Sequence, residues 1–434
     1  MSREDKGLSG KGFLIRVCDS DHMTTLAGSS AITDLTDPIM FSNPFPKYAE
    51  LRKSAPVSPV VAPLMIGGKG KGYMLTRYDD VVAMHADPRF SSDLMNHDAV
   101  RRVRWLIPKP LQLLTETMVT KDDPEHKRLR KLVHKAFTPK LVAGLADDIT
   151  RIAQELIEQM AEKGDVDLVN DYAVPLPLTV IARLLGVKDE DLEEFHGLAL
   201  RLTQTSAAGP RGLPWFIHSA AKLSKFFGRL IDERRLNPDD ALITQLVQAK
   251  EDGDELSDRE AISMIFVLLL AGHDTTSNLL GNSVVALLDN PDQLARLRAE
   301  PELIDTGVDE LLRFTSPVPV GAMRVALEDV EIGGARIPKG SRVFAMIISA
   351  NRDESVFTDP ENLDLSRTPN KHLSFASGPH YCLGHHLARL EGRIAITQLL
   401  QRFDNLEITV PRNSLRLKPI PNLRGLESLP MRLS

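Results

Sequence analysis

Two stretches of this chain place reactive side chains where ordinary packing does not call for them. The first runs Phe375-Ala-Ser-Gly-Pro-His-Tyr-Cys-Leu-Gly, ending at Gly384, and leads into a helical pattern. A cysteine just before a helix start meets the positive end of the dipole and several unpaired N–H groups, and both stabilise a thiolate. Gly378 and Gly384 flank Cys382, and glycines let backbone pass close to a flat, bulky partner. Three readings of Cys382 are open on these residues. It is a buried structural thiol, a zinc ligand from the tract His372, His380, Cys382, His385 and His386, or the axial thiolate of a haem iron. Zinc sites normally pair their ligands at hairpin or helical spacing, and this tract has a single cysteine.

The second stretch is Ala271-Gly-His-Asp-Thr-Thr, inside the longest apolar helical pattern, Asp258 to Asn290. Gly272 there weakens the helix by about 1 kcal/mol relative to alanine. Asp274 and Thr275 put an acid and a hydroxyl in an apolar rod. A hydroxyl that bonds back to the i−4 carbonyl bends a helix and opens a groove, and an acid beside an alcohol can relay protons. A satisfied polar patch between packed helices is the alternative. Two further groupings are weaker alone. Glu310 and Arg313 sit i,i+3 on one helix face, the usual spacing of a solvated pair. In Asp123-Pro-Glu-His-Lys-Arg-Leu-Arg-Lys, Asp123 caps a helix with Pro124 in its first turn. His126 and Arg130 share one face, suited to a cofactor's carboxylates. Lys127, Lys131 and Lys135 line another, suited to an acidic partner or simply to solvent.

The elements that must carry these groups are mostly helices. Apolar spacing predicts helices over 124–136, 139–162, 176–185, 189–205, 214–235, 240–251, 257–289, 291–299, 301–314 and 384–403. A hairpin is expected over 56–76 around Gly67-Gly68-Lys69-Gly70, and short strands near 330–347 and in the tail. Residues 91–118 read as irregular. The expected class is mainly α with a minor β part, in one large helix-rich domain over 34–434 behind a flexible leader, 1–33, in which Met23 is an alternative start.

Composition narrows the function. Lys and Arg number 53 against 59 Asp and Glu, a net charge of −6, which does not favour nucleic acid. The two cysteines, Cys18 and Cys382, make no disulfide framework, so a reducing cytoplasm is expected. The apolar runs Phe13–Cys18 and Met264–Ala271 are too short to span a membrane, and no secretory cleavage site follows the first. A soluble protein is expected.

Taken together and in order, the four groupings resemble the cytochrome P-450 family, specifically its soluble bacterial members. The likeness extends through Ile337-Pro-Lys-Gly, Ala350-Asn-Arg-Asp, Phe357, Asp359-Pro, Arg367 and Arg424-Gly-Leu-Glu-Ser-Leu-Pro, and covers the chain after about residue 34. The resemblance implies the P-450 fold and a haem b cofactor with Cys382 as proximal iron ligand and Phe375 packed beside it. It implies that His126, Arg130, Arg324 and His380 bond the propionates. Ala271 and Gly272 would leave space over the iron, with Gly384 also on the cofactor side. Glu310, Arg313 and Arg367 would form a buried network, and Asp274 and Thr275 would deliver protons to bound O2.

The implied reaction is hydroxylation or epoxidation of a bulky hydrophobic small molecule, of polyketide or macrolide type or another secondary metabolite. Desaturation and oxidative coupling are the alternatives, and a non-enzymatic Cys/His zinc module a remote one. The substrate pocket would draw on Leu94, Met95, Val267, Leu270, Val318, Val320 and Leu423. The chain carries no flavin or iron–sulfur motif, so electrons would come from NAD(P)H through a ferredoxin and its reductase. Lys127, Arg128, Lys131 and Lys135 are candidates for that docking face on an otherwise monomeric protein. Arg101, Arg102 and Arg104 would meet a carboxylate or carrier-bound substrate, or form a solvated loop. Two departures stand out. Ala376 replaces the family's usual glycine, so the loop must keep φ negative there or bear strain. His385 and His386 stand where small residues or proline are common, and their role is open.

Overall fold

A computed structural model describes residues 32–63, 69–97, 101, 108, 112–113, 116–207, 212–251, 253–420 and 422–434, and, among these, not the side chains of 94, 206, 207 and 251. Its centre is one helix, Asp258–Asp289, here the long helix. Ser257 starts it with a capping box: the serine hydroxyl accepts from the Glu260 N–H while the Glu260 carboxylate accepts from the Ser257 N–H. The long helix is apolar on several faces because helices pack on several sides of it. Pro175–Leu185 closes on one side, where a Cβ on Gly272 would lie 2.8 Å from Ile181 Cδ1. The terminal helix, His385–Arg402, closes on another. A Cβ on its Gly392 would lie 2.9 Å from Val308 of the bracing helix, Ile304–Thr315, and 3.2 Å from Leu279 of the long helix. Among the described residues no helix is long and apolar enough to cross a membrane.

The main sheet orders its strands Thr33–Asp34, Val57–Pro63, Lys69–Leu75, Arg342–Ala345, Arg324–Ala326 and Phe90–Ser91. The expected hairpin is present, Val57 opposite Leu75 and Pro63 opposite Lys69; its tip, with Gly67 and Gly68, lies outside the described residues. Val343 pairs in parallel with Tyr73 and antiparallel with Arg324, which fixes where Arg324 enters the interior. The tail contributes Leu406–Ile408, which pairs with Pro430–Leu433, and the latter pairs in turn with Asp165–Asp167.

Several boundaries differ from those expected. The 139–162 helix is two, Pro139–Ala143 and Ala146–Lys163, broken at Gly144 and Leu145. The 240–251 helix ends at Gln248, because Lys250–Glu251 turns at Gly253 (φ +83°) to pair with Asp254–Glu255. Helices Pro38–Ser42, Phe45–Ser54 and Tyr78–Ala86 were not expected. Thr33, on the leader side of the expected 33/34 boundary, pairs with Val60, and residues 1–31 lie outside the described residues. Met23, Cys18, Arg102 and Arg104 lie outside the described residues.

Candidate active site

Cys382 is partly buried in a loop that hydrogen bonds shape from within. Its N–H donates to the Phe375 carbonyl (3.0 Å), Ala376 N–H to Leu373 O (2.8 Å), and Tyr381 N–H to Gly378 O (3.0 Å). Two residues of the loop are left-handed. Gly378 has φ +71°, and a Cβ there would lie 2.7 Å from the His85 carbonyl, so its neighbour is protein backbone. Ala376 has φ +59°: of the two options open in the sequence, the loop bears the strain, which for a residue with a Cβ is about 1–2 kcal/mol. Gly384 has φ −84° and precedes the terminal helix, and no protein atom lies within 4 Å of where its Cβ would be. Burial pushes the Cys382 thiol up, while the Gly384 N–H and the charges of Arg130 and Arg389 pull it down. Phe375 is buried, with the Arg389 guanidinium 4.5 Å from its ring centre and His372, Tyr381 and His385 around it.

A cluster of cationic and imidazole groups gathers beside this loop from four separate segments. The Glu125–Ala136 helix supplies His126 and Arg130, the sheet supplies Arg324, the cysteine loop His380, and Tyr78–Ala86 adds His85. The helix begins at Glu125 rather than Pro124, but the Asp123 carboxylate still accepts from the Lys127 N–H (3.1 Å). His126 and His380 stack with ring centres 4.0 Å apart, and Arg130 Nη2 donates to the Tyr381 carbonyl (2.8 Å). Arg324 is buried and donates to the Ser92 hydroxyl, which also meets His380 Nε2 at 2.9 Å. Burial and then the charges of Arg324, His126, Arg130 and His85 push His380 down to about 3. His126 faces the Asp123 carboxylate through Nδ1 (3.2 Å), while its Nε2 is buried with no hydrogen-bond partner. Such a cluster suits a dianion. Serines 92 and 377 and His85 were not expected from the sequence; His85 Nδ1 lies 2.9 Å from Ser377 Oγ.

On the long helix, Thr275 Oγ1 donates to the Ala271 carbonyl at 2.6 Å, the back-bond anticipated from its position. Ala271 is accessible and Thr275 partly so, although Leu269, His273 and Asp274 beside them are buried. Asp274 lies 3.5 Å from His273 Nε2 and 3.8 Å from Lys418 Nζ, two neighbours the sequence did not announce. Gly272 has a packing reason, Ile181, distinct from the space over a metal suggested for it. Val267, Leu270, Val318, Val320, Leu423 and Met95 are all partly buried. Val320 packs towards the outer cluster of Phe344 and Met346, and the Leu94 side chain lies outside the described residues. A groove of about 170 Å³ opens on the cysteine side between Arg130, His134, Phe137, Tyr381, Cys382 and His386. Sites for drug-sized ligands span roughly 300–1,000 Å³, so this groove is not the seat of a bulky substrate.

The Glu310–Arg313 pair at the centre of the bracing network is fully buried. Arg313 meets Glu310 through two bonds of 2.7 Å, and Arg367 Nε (3.0 Å), Asn370 Nδ2 (3.1 Å) and the Asp364 N–H (3.0 Å) complete the carboxylate. The remaining Arg313 protons go to the Asn351, Pro360 and Asn362 carbonyls. Asn351 carries the network to the cysteine loop: its Oδ1 accepts from the Leu373 N–H (2.7 Å) and its Nδ2 reaches Ser374 Oγ (3.0 Å).

The zinc reading fails on geometry. Among the described residues no three His, Cys, Asp or Glu side chains converge to hold a metal ion. His372 turns to Asp309 (3.0 Å), His380 to Ser92, and His385 to Arg389 (2.8 Å). The residues do fit haem. A lone thiol, an accessible turn of helix carrying a hydroxyl, and an anion site with an orphaned imidazole nitrogen are the donor set of a metal bearing a flat dicarboxylate ligand. Arg128 is not available for docking: it is spent on Glu125 (2.7 Å), Asp254 (3.0 Å) and Glu260.

Comparison with known proteins agrees. The family profile described as Cytochrome P450 matches residues 216–422. The polyketide biosynthesis cytochrome P450 PksS of Bacillus subtilis is 39% identical over 393 residues, 90% of this chain and 96% of that one. The solved structure of the bacillaene polyketide synthase P450 PksS from the same organism superposes with a TM-score of 0.83, at 38% identity, covering 91% of this chain and 98% of that one. P450BioI, solved in complex with an acyl carrier protein ligated to hexadec-9Z-enoic acid, gives a TM-score of 0.81 at 35% identity, covering 91% and 99%. The sequence relationship and the shared fold lead to one conclusion: this chain belongs to the cytochrome P450 family of monooxygenases, which use haem iron and O2 with electrons from redox partners.

Proposed function

We propose that this enzyme hydroxylates or epoxidises a bulky hydrophobic small molecule, of polyketide or macrolide type or another secondary metabolite, with electrons from NAD(P)H delivered by a ferredoxin and its reductase. The observation that carries the reading is that, midway along the long helix, Ala271 is exposed and the back-bonded Thr275 partly so, while Leu269, His273 and Asp274 beside them are buried. Haem, when bound, supplies the binding and reductive activation of dioxygen.

The chain's own groups then have defined tasks. Cys382 would hold the iron, with Phe375 and Arg130 fixing the loop around it. His126, Arg130, Arg324 and His380 would take the propionates, and Gly384 and Ala271 would leave room for the cofactor. The Thr275 hydroxyl now donates to the Ala271 carbonyl; turned away from that carbonyl it would hold its proton on the accessible side of the helix, and Asp274 would replenish it. Met95, Val267, Leu270, Val318, Val320 and Leu423 would orient the substrate and exclude water. The PksS relative supports the polyketide class, and P450BioI supports testing a carrier-linked acyl chain beside free ones. For the redox partner, Lys127, Lys131 and Lys135 are exposed on the helix that lends Arg130 and His134 to the cysteine-side groove, Lys135 also donating to the Lys250 carbonyl (3.0 Å), and this supports an acidic partner there.

The test begins with the absorption spectrum of the reduced protein under carbon monoxide, whose red-shifted Soret band Cys382→Ser should abolish. A macrolactone, a free fatty acid, a carrier-linked fatty acid and a steroid are then titrated for the spin-state shift that follows displacement of water. The absence of a spin shift with all four would overturn the substrate class, and an intact Soret shift in Cys382→Ser would overturn the ligand. Charge reversal at Lys127, Lys131 and Lys135 should slow ferredoxin-supported turnover, and turnover indifferent to ionic strength would count against that face.

A further inference from the structure

The buried cation Arg324 is short of acceptors. It is 3% exposed, and among the described residues its guanidinium meets one acceptor, the Ser92 hydroxyl, and no carboxylate at ion-pair distance. A guanidinium carries five N–H donors, so most of its capacity is open to an anion. Burial works against its charge, and the Asp122 carboxylate supports it. Strand register explains why Ser92 is the neighbour. Phe90 pairs with Ala326 and Ser91 with Val325, antiparallel, which brings Ser92 level with Arg324.

The same hydroxyl lies 2.9 Å from His380 Nε2. A serine hydroxyl gives one proton and accepts two, so it serves both side chains at once. His380 is fixed a second way, by its ring stacked on that of His126. Ser92 in turn is held by Asp122. Its N–H donates to Asp122 Oδ1 (2.7 Å), while Oδ2 accepts from the Ser91 hydroxyl and from Asn96 Nδ2 (3.4 Å). The Asp122 carbonyl accepts from the His126 N–H (2.9 Å), at the start of the helix that carries His126 and Arg130. Asn96, Asp122, Arg324 and His380 thus converge on one dipeptide, Ser91-Ser92.

We propose that Ser92 is a positioning residue for the cofactor's carboxylates: its hydroxyl holds Arg324 and His380 together as one donor pair, and Asp122 ties that hydroxyl to the helix bearing His126 and Arg130. Without the hydroxyl the guanidinium and the imidazole have no common partner, and each must be ordered by the carboxylate itself. This inference rests on the reading of Arg324 and His380 as residues that take the propionates.

The test follows the rate at which haem leaves the loaded full chain for excess apomyoglobin. Wild type, Ser92→Ala, Ser92→Thr, Asp122→Ala and the double alanine variant are each loaded with haem or with haem dimethyl ester, which has no free carboxylate. With haem, Ser92→Ala should speed release about tenfold, the worth of one hydrogen bond to a charged group. Ser92→Thr keeps the hydroxyl and should hold the native rate. Asp122→Ala should speed release too and add nothing to Ser92→Ala; multiplied factors would overturn the link through Asp122. With the ester, wild type and Ser92→Ala should release at one rate. A merely structural serine would speed the loss of both cofactors alike. That result, or haem release from Ser92→Ala as slow as from wild type, would overturn the proposal. If wild type itself releases haem and its ester at equal rates, the reading of this cluster as the propionate site falls, whatever Ser92 does.

Discussion

Replacing Glu310 by Gln changes one atom's chemistry in the most enclosed ion pair of the molecule. Both Glu310 and Arg313 side chains are 0% exposed, so neither can reach water to recover lost hydration. The carboxylate accepts five hydrogen bonds, from Arg313 (two), Arg367, Asn370 and the Asp364 amide. Gln offers one oxygen and turns an NH2 group towards a guanidinium. It leaves two arginines with no neutralising partner, one fully buried and one 11% exposed. Breaking such a pair destabilises by about 3–5 kcal/mol, a large part of a typical domain's 5–15 kcal/mol. Arg313→Met should be at least as damaging, because it also strips the Asn351, Pro360 and Asn362 carbonyls of their donor. Arg367→Ala, at the rim, should cost about 1–2 kcal/mol, the scale of a charged hydrogen bond. The assay is urea unfolding followed by far-ultraviolet circular dichroism, comparing midpoints at a common slope. A Glu310→Gln loss below about 1 kcal/mol, or an Arg367→Ala loss exceeding it, would show that the network is not the brace it resembles.

Three other perturbations have signs fixed by the structure. Ala376→Gly relieves a left-handed residue worth about 1–2 kcal/mol and adds about 0.4–1 kcal/mol of unfolded-state entropy, so a net gain of about 0.5–1 kcal/mol in urea is expected. Gly425→Ala drives a Cβ into Asn278 and should lose about 1–3 kcal/mol of stability, part of which Asn278→Ala in the same chain recovers. Burial pushes the Glu391 carboxyl up to about 8, so the folded chain keeps a proton that the unfolded chain releases from the ordinary carboxylate range upward. Its contribution is full at acid pH and drains away as pH rises towards 8. At about 1.4 kcal/mol per pH unit, wild type should lose up to about 2–3 kcal/mol more than Glu391→Gln between pH 6 and 8, and parallel pH–stability curves would refute this.

What could be read in the sequence was what short spacing encodes. The i,i+3 pair Glu310–Arg313, the back-bond of Thr275 and the long helix with its cap all follow from residues within one or two turns. The rest depends on chain segments that meet only after folding. Glu310 takes partners 54, 57 and 60 residues away, at Asp364, Arg367 and Asn370. His380 finds Ser92 across 288 residues. No local pattern marks Lys418 as a neighbour of Asp274. The resemblance supplied Arg324 and His380, and it did not supply Ser92, His85 or Asn351. Where local reading went astray, the cause was a break that apolar spacing does not register. At Gly144 the apolar rhythm continues through a kink, and at Lys250 a helical pattern gives way to a hairpin turned on Gly253.

The cysteine loop owes its shape to contacts that involve no cofactor. Asn351 ties Leu373 and Ser374 to the buried arginine network, and Asp309 joins His372 to Arg389 of the terminal helix (3.0 and 2.7 Å). Gly378 lies flush on the His85 backbone, and Arg130 holds the Tyr381 carbonyl. A cysteine fixed from these directions would meet an iron with little left to order, which is how a protein makes a ligand's position part of its own stability. The strain at Ala376 is tolerable for the same reason: left-handed backbone persists only where its surroundings over-determine it. The distal side is built differently. There the acid and the hydroxyl are adjacent in sequence yet face elsewhere, Thr275 the Ala271 carbonyl and Asp274 the side chains of His273 (3.5 Å) and Lys418 (3.8 Å), so the proposed relay would still have to be assembled. A cysteine held by protein contacts alone and a hydroxyl that must change partner to act are what the roles proposed for Cys382 and Thr275 would require of this fold.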